Sequence, residues 1–359
     1  MDKIKRSLQY CLLGWAILLL IIAMQTMAYS SNSLRWQSLS SLPNPLGLAA
    51  PLAGVSNNAL IVAGGTNFPD APPWKGGKKV WYDQAFILEN AQGSWKSGLK
   101  LPQPIAHAVS LSTEEGVLVM GGGNAEEHFK EVFLINWRDN ALNLKNLPPL
   151  PQPCAFAAGA RLGDMIYLAG GITRPGATEA LQTFWALDLN HFNKGWQELP
   201  PWPGPGRILP VAGVQDGAFY LFSGARLYPG PDGKAKREYL RDAYRYRPGT
   251  GWQQLADLPR SAVAAPTPSL PLGRSHLLVL GGDDGSKVDF QPPDKHPGFS
   301  REILDYDTQT NTWKIYGTTP APYVTTTIVP WLGGFVVPGG EVRPAYRTND
   351  IQIVYPVVD

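Results

Sequence analysis

The sequence predicts an all-β fold, a six-bladed β-propeller, and three observations predict it. An apolar run ending in a glycine pair (Ser-Gly in the fourth copy) recurs six times: Val62-Ala63-Gly64-Gly65, Val119-Met120-Gly121-Gly122, Leu168-Ala169-Gly170-Gly171, Leu221-Phe222-Ser223-Gly224, Val279-Leu280-Gly281-Gly282 and Val337-Pro338-Gly339-Gly340. Successive copies start 57, 49, 53, 58 and 58 residues apart, a blade-sized period. Between the pairs lie a polar stretch, an aromatic-rich strand and then Trp-x-x-Leu or a variant of it. The glycine pair makes the repeat kelch-type.

Each blade reads as four antiparallel strands, a to d. Strand a is small and apolar, as in Ala106-His107-Ala108-Val109-Ser110-Leu111. Strand b runs into the glycine pair. Strand c carries aromatics, as in Thr183-Phe184-Trp185-Ala186-Leu187-Asp188 or Ile303-Leu304-Asp305-Tyr306-Asp307. Strand d is the Trp strand, beginning at Trp95, Trp196, Trp252 and Trp313, with Leu142-Asn143-Leu144 in its place in the second blade. These Trp side chains are expected to pack between blades. The first Trp strand, Arg35-Trp36-Gln37-Ser38-Leu39, precedes any strand a, and the last repeat stops at strand c, Ile351-Gln352-Ile353-Val354-Tyr355. Pairing these two makes the N-terminal strand the missing strand d of the last blade and leaves the ring without an open edge.

Composition agrees. Gly (38) and Pro (34) are frequent without a collagen period, as many short strands and turns require. The formal charge of +2 is already supplied by Asp2, Lys3, Lys5 and Arg6, so the rest is near neutral. That argues against a nucleic-acid footprint. Lys3, Lys5 and Arg6, the apolar run Cys11 to Met24 and the small residues Ala28 and Ser30 have the order of a secretory signal. Residues 1–30 are therefore expected to be a signal peptide, or an uncleaved signal anchor, with the propeller at 31–359 periplasmic or secreted. Cleavage would leave Cys154 alone and no internal disulfide.

Antiparallel order puts the a-to-b and c-to-d turns on one face and the b-to-c and d-to-a loops on the other. The a-to-b turns are tight, such as Asn57-Asn58 and Asp216-Gly217. The b-to-c loops (66–82, 123–130, 172–182, 225–241, 283–300) are long and polar, which marks their face as functional. In the last of these positions the chain reads Glu341-Val342-Arg343-Pro344-Ala345-Tyr346-Arg347-Thr348. A carboxylate there can take a proton from a bound hydroxyl, and an arginine can grip an acidic ligand by a two-pronged contact. From the residues alone, a loop-stabilising ion pair explains the segment equally. Arg207 opens a strand a near the channel, as a ligand or as a structural arginine between blades. Asn67 lies in a first loop rich in Trp, Lys and Gly (Trp74 to Asp83), which either folds over a polar ligand or is solvated. His107 faces the channel or is a satisfied core histidine; His296 is a weaker candidate. No Cys or His spacing outlines a zinc or copper site, Gly121-Gly122-Gly123 opens no helix, and no nucleophile elbow is present, so no cofactor is expected.

The blades, the N-terminal segment and the Gly340-Glu341-Val342-Arg343-Pro344-Ala345-Tyr346-Arg347-Thr348 run together resemble the bacterial N-acetylneuraminate epimerases, or sialic acid mutarotases. Their hallmark looks like Gly-Glu-x-(Lys/Arg)-Pro-Gly-x-Arg-Thr, from which Ala345 departs at the second Gly. The Glu-bearing blade comes last here, as in a cyclically permuted branch; a ring keeps its blade neighbours when the break moves. The resemblance implies that Glu341 is the acid/base, that Arg347 grips the substrate carboxylate, and that Arg207 matches an arginine at the start of a strand a. It implies interconversion of the α and β anomers of N-acetylneuraminate by ring opening, without a cofactor. Arg343, Asn67 and His107 complete the expected substrate contacts. The partner expected is a small acidic sugar, not nucleic acid, and a membrane only if the N-terminal segment stays uncleaved. Two other readings stand beside this one: a non-catalytic propeller binding a glycan or protein, and a copper-dependent carbohydrate oxidase, against which the cysteine count argues.

Overall fold

The computed structural model describes residues 33–357; the N-terminal segment with Cys11 and the expected cleavage site lies outside the described residues. Among the described residues there is no α-helix, only single 3-10 turns at Pro73–Lys75, Phe192–Lys194 and Pro293–Lys295. Six four-stranded antiparallel sheets form the blades of a β-propeller. The first blade is Leu52–Ser56, Ala59–Ala63, Gln84–Leu88 and Lys96–Lys100, in that spatial order. The last is Val329–Trp331, Gly334–Arg343, Tyr346–Val357 and finally Ser33–Leu39, so the N-terminal strand does supply strand d. Just beyond it Leu42 and Asn349 exchange bonds: the Leu42 N–H donates to the Asn349 carbonyl at 2.8 Å, and Asn349 Nδ2 donates back to Leu42 O at 3.3 Å. The compact body is Trp36–Val354. In the strand ends outside it, the Arg35 guanidinium lies 5.0 Å over the Tyr355 ring.

The ring is held at three radii. Innermost, one residue before each strand a takes a positive φ: Ala50, His107, Phe156, Leu209, Ala264 and Thr325, all between 51° and 63°. Each donates its N–H to the carbonyl of its counterpart in the preceding blade. The six bonds run Ala50 to Thr325, His107 to Ala50, Phe156 to His107, Leu209 to Phe156, Ala264 to Leu209 and Thr325 to Ala264, at 2.6–3.3 Å. A left-handed residue costs about 1–2 kcal/mol, which satisfying an otherwise buried N–H offsets. For the same reason the strand expected from Ala106 begins only at Val109: its first residues are bent inward to join the ring.

At middle radius the glycine pair packs on the next blade. A Cβ on Gly121 (φ +62) would stand 2.1 Å from the Cys154 carbonyl, and Gly122 donates to that carbonyl at 2.8 Å. Gly340 does the same to Leu48, closing the last blade on the first at 3.0 Å. Outermost, the Trp strands form links. The Nε1–H of Trp95, Trp196, Trp252 and Trp313 donates to Ser40, Pro148, Pro200 and Ala256, each the carbonyl just past the preceding blade's strand d, at 2.8–3.1 Å. This is the physical content of the Trp-x-x-Leu signature. Between these links the seams are filled by buried Ile61, Ile87, Val117 and Val119 in one place and Tyr220, Phe222, Leu277 and Val279 in another. Each such side chain contributes about 1.5–3 kcal/mol.

Two of the long loops hold hairpins of their own, Thr66–Asn67 with Val80–Trp81 and Ala225–Pro229 with Ala235–Tyr239. In the last blade there is no loop at all: strands b and c run on past the glycine pair as a hairpin to Arg343 and from Tyr346.

Candidate active site at the channel mouth

The residue after each glycine pair bridges the residue before the inner ring. The six bridges are Ala49–Thr66, Ala106–Gly123, Ala155–Ile172, Ile208–Ala225, Val263–Asp283 and Val324–Glu341. These second members therefore rim the channel, and only Asp283 and Glu341 among them are acids. Glu341 pairs across its hairpin with Arg347, and Arg343 with Tyr346, around a Pro344-Ala345 turn. Ala345 sits at φ +66, where glycine is the easier residue. The turn is steadied by the Ala345 N–H, which donates to Glu341 Oε1 at 2.8 Å.

Arg347 is buried by this arrangement, with its side chain 4 % exposed against 17 % for Glu341. Its Nη1 stands 3.5 Å from Glu341 Oε1, an ion-pair distance without hydrogen-bond geometry. Neither Nε nor Nη1 meets an acceptor among the described residues. The guanidinium lies 4.8 Å over the Phe68 ring, and the Lys79 ammonium 5.8 Å from the same ring and 5.6 Å from that of Trp81. Phe68 and Lys79 face each other because Thr66–Asn67 and Val80–Trp81 pair in that register. Burial lowers the Lys79 pKa, with Arg347 and Arg237 adding to the effect and Glu341 opposing it. Burial likewise lowers that of Arg347, again opposed by Glu341.

His107 lines the channel, its ring stacked on Phe156 at 4.0 Å and its buried Nε2 without a hydrogen-bond partner among the described residues. Burial, then the charges of Lys79, His128, Arg347 and Arg237, holds its pKa well below the ordinary histidine value, so the imidazole is neutral near pH 7. A pocket lined by Trp81, His107, Asn124, His128, Phe156 and Ile172 adjoins the channel at this point. Across the rim Asp283 accepts from Tyr239 Oη at 3.1 Å and from the Gly285 N–H at 3.0 Å. The rim thus carries two carboxylates, Glu341 and Asp283, beside the cations Lys79, Arg237 and Arg347.

The structure places the other expected contacts elsewhere. Arg207 is wholly buried, and its guanidinium is bidentate to Asp242 at 2.7 and 2.7 Å. It also donates to the Ser223 and Pro205 carbonyls and lies over Trp202 and Tyr244. Its place in the seam is that of Leu48, Ile105 and Cys154 in other blades, so the structural alternative describes it and the ligand role does not. Asn67 is buried, donating to the Gly47 carbonyl at 3.1 Å and accepting from Tyr82 Oη at 2.6 Å; it fixes its loop and offers nothing to a ligand. Arg343 points to the fifth blade, donating to the Asp294 carbonyl at 2.7 Å and stacking on Tyr346 at 3.7 Å. His296 accepts the Gly298 N–H at 3.0 Å within its own turn. The first loop does fold over: Trp74 Nε1 and Lys75 reach Asp294 Oδ1 and Oδ2 at 2.9 and 2.6 Å, spanning the last blade. Lys79, Arg237, Tyr239 and Asp283 went unrecognised as site residues. Asp283 had a signal, since it holds the same place after a glycine pair as Glu341. Among the described residues no three His, Cys, Asp or Glu side chains are placed to hold a metal ion.

Fold and rim define the protein's class: a six-bladed propeller presenting an acid and a cluster of cations at one mouth of its channel. The sequence model of the family described as N-acetylneuraminate epimerase matches residues 20–144 and 147–290, and the chain belongs to that family. It is similar to the N-acetylneuraminate epimerase of Haemophilus influenzae (strain 86-028NP), 29% identical over 233 residues, 58% of this chain and 59% of the relative. It is similar to the protein of that name from Yersinia enterocolitica serotype O:8 / biotype 1B (strain NCTC 13174 / 8081), 28% identical over 234 residues, 57% and 56% of the two chains. That of Yersinia pestis (strain Pestoides F) is 27% identical over 227 residues, 56% and 55%. The chain thus spans less than two thirds of the length of these curated relatives. Glu341 and Arg347 lie beyond the residues the family model matches.

Proposed function

We propose that the protein is a mutarotase, interconverting the α and β anomers of N-acetylneuraminate by acid/base-assisted ring opening at the rim around Glu341. The observation that carries this reading is Arg347: a guanidinium almost sealed from solvent, with two N–H-bearing nitrogens, Nε and Nη1, that no described residue satisfies. An unmet charged donor in such a place costs upwards of about 1–3 kcal/mol, and a ligand carboxylate removes the cost by a two-pronged contact. Lys79 and Arg237 add to the same attraction. The family to which the chain belongs, N-acetylneuraminate epimerase, supplies the sugar, and a carboxylate-binding arginine agrees with it.

With the carboxylate on Arg347, the anomeric hydroxyl on the neighbouring carbon is brought toward Glu341. Glu341 Oε1 is already engaged by Ala345 and Arg347, which leaves Oε2 to take the hydroxyl proton. The ring carbon–oxygen bond then breaks, its electron pair and a proton going to the ring oxygen, and the anomeric carbon becomes a ketone; rotation presents its other face, and closure reverses both proton transfers. Placing one proton well contributes about 10²–10⁴-fold, ample for a reaction that already runs in water. A cyclic order of blades, with the Glu-bearing blade last, accounts for a linear match that ends before it. We further propose, from Lys3, Lys5, Arg6 and the apolar run behind them, that the propeller works outside the cytoplasm.

The test follows freshly released α-N-acetylneuraminate by nuclear magnetic resonance. Wild-type protein should speed its conversion to the β anomer, and Glu341→Gln should return the rate to that of buffer. Unchanged acceleration in Glu341→Gln would remove the assignment, and binding without acceleration in the wild type would leave a glycan-binding propeller instead.

A further inference from the structure

We propose that Lys79 is the acid of the ring-opening step, giving its proton to the ring oxygen while Glu341 takes that of the anomeric hydroxyl. This rests on the mutarotase reading. Opening a cyclic hemiketal needs both transfers: the carbon–oxygen ring bond breaks with its electron pair moving to the ring oxygen, which must be protonated, while the anomeric O–H becomes a carbonyl. A single carboxylate supplies only the second transfer.

Lys79 has the geometry for the first. Its ammonium lies 5.8 Å and the Arg347 guanidinium 4.8 Å from the centre of the Phe68 ring, so they are within about 11 Å of each other, the sum of those distances. In a sugar acid held through its carboxylate at Arg347, the ring oxygen is bonded to the carbon that carries that carboxylate, so its proton donor must stand beside Arg347, near enough to feel its charge as Lys79 does. Lys79 is tied down by two aromatic rings, those of Phe68 and Trp81, and pairs with no carboxylate among the described residues. A lysine used only to shape the loop resembles Lys75, which is salt-bridged to Asp294. The groups facing Lys79 are Arg347 and Glu341 from the last blade, Arg237 from the fourth blade's hairpin and His107 from the inner ring. Burial and two guanidiniums make its proton easier to lose than that of an ordinary lysine, which suits a donor working near neutral pH. His107 cannot serve, because it is uncharged in this field and its neutral N–H is far too weak an acid. On closure the opened hydroxyl returns its proton to the Lys79 amine and Glu341 returns the other to the carbonyl oxygen, so both groups are regenerated.

The experiment compares Lys79→Met and Lys79→Arg with wild type by exchange spectroscopy of the two anomers from pH 6 to 10. Wild-type kcat should fall as pH rises through the lowered Lys79 pKa. Both variants should lose at least about 10²-fold in kcat and with it that alkaline fall, while Lys79→Arg, which keeps the charge but not a transferable proton, keeps KM. Wild-type kcat in Lys79→Arg, or an unchanged alkaline fall in Lys79→Met, overturns the proposal and leaves the mutarotase reading standing. Glu341→Gln as active as wild type overturns both. Competitive acetylation of the wild type reads the same group without any variant: Lys79 should titrate below the ordinary lysine value and be shielded by N-acetylneuraminate. Titration at the ordinary lysine value, unshielded, overturns the proposal whether or not the variants fold.

Discussion

Of the arginine–carboxylate pairs in this ring, the two with the most buried arginines differ in how fully each is satisfied. Arg207 and Asp242 meet at 2.7 Å twice over. Carbonyls at Ser223 and Pro205 take further N–H groups, and Tyr244 Oη donates to Asp242 at 2.8 Å. Burial and Asp242 push the Tyr244 pKa up to about 12, so that hydroxyl stays a donor. Arg347 and Glu341 meet once, at 3.5 Å, and the arginine keeps two nitrogens unmet. The first is a closed network whose charges cancel in place, and nothing outside is needed. The second keeps donors that no described residue takes. Burial alone does not set Arg347 apart from Arg207; burial with unmet donors does.

The largest effect should separate the pairs by kind. Glu341→Gln is expected to cost about 10²–10⁴-fold in kcat, with a smaller loss of stability than a break at Arg207, since its ion pair with Arg347 is longer, 3.5 Å, and lacks hydrogen-bond geometry. Asp242→Asn should do the reverse. It leaves a sealed Arg207 without its counter-charge and costs about 3–5 kcal/mol of stability, read as a lower unfolding midpoint with normal turnover by the surviving folded protein. A catalytic defect in Asp242→Asn at full stability would erase the distinction. Next, Arg347→Ala should raise KM about 10- to 100-fold, the worth of a hydrogen-bonded charge, and lower kcat less. A fall in kcat alone would place the carboxylate elsewhere.

Why one arginine was legible and the other not follows from where their neighbours come from. Glu341 and Arg347 are six residues apart, and their opposition across a hairpin is implicit in the segment itself. Arg207 announces its position in the sequence but not its partners: Asp242 and Tyr244 arrive from a strand more than thirty residues on. Asn67 was likewise a plausible ligand until Gly47 and Tyr82 were seen to hold it. The blades themselves were legible because glycine pairs and Trp strands repeat, and each repeat makes the same joint. Lys79, Arg237 and Arg347 share a mouth only because the ring closes, which no local pattern encodes.

A smaller effect tests the burial of His107 and, after it, the cations around it. The folded state holds the His107 pKa well below its ordinary value, so as pH falls through about 6.5 the unfolded chain binds a proton that the native protein refuses. More protons on the unfolded side means stability rises with pH across that window; it is fully present above it and lost below. Urea midpoints at pH 7.5 and 5.5 should show the loss, at most about 1.4 kcal/mol per pH unit for one group. His107→Asn, which tolerates the same positive φ, should flatten it. An identical slope in that variant assigns the loss to other groups.

The smallest expected effect concerns Ala345, whose φ of +66 in the turn suits glycine better than alanine. The alanine costs native-state strain but restricts the unfolded chain, and these oppose each other. Strain at a positive φ is the larger of the two, so Ala345→Gly should stabilise the protein, by less than about 1 kcal/mol. The N–H that steadies Glu341 Oε1 at 2.8 Å is a backbone group and survives the change, so kcat should stay within about twofold. A tenfold fall in kcat would instead show that stiffness at position 345 aims the carboxylate. The open pair would then owe its geometry to the turn as well as to Arg347, whereas the closed pair at Arg207 is aimed by its own bonds.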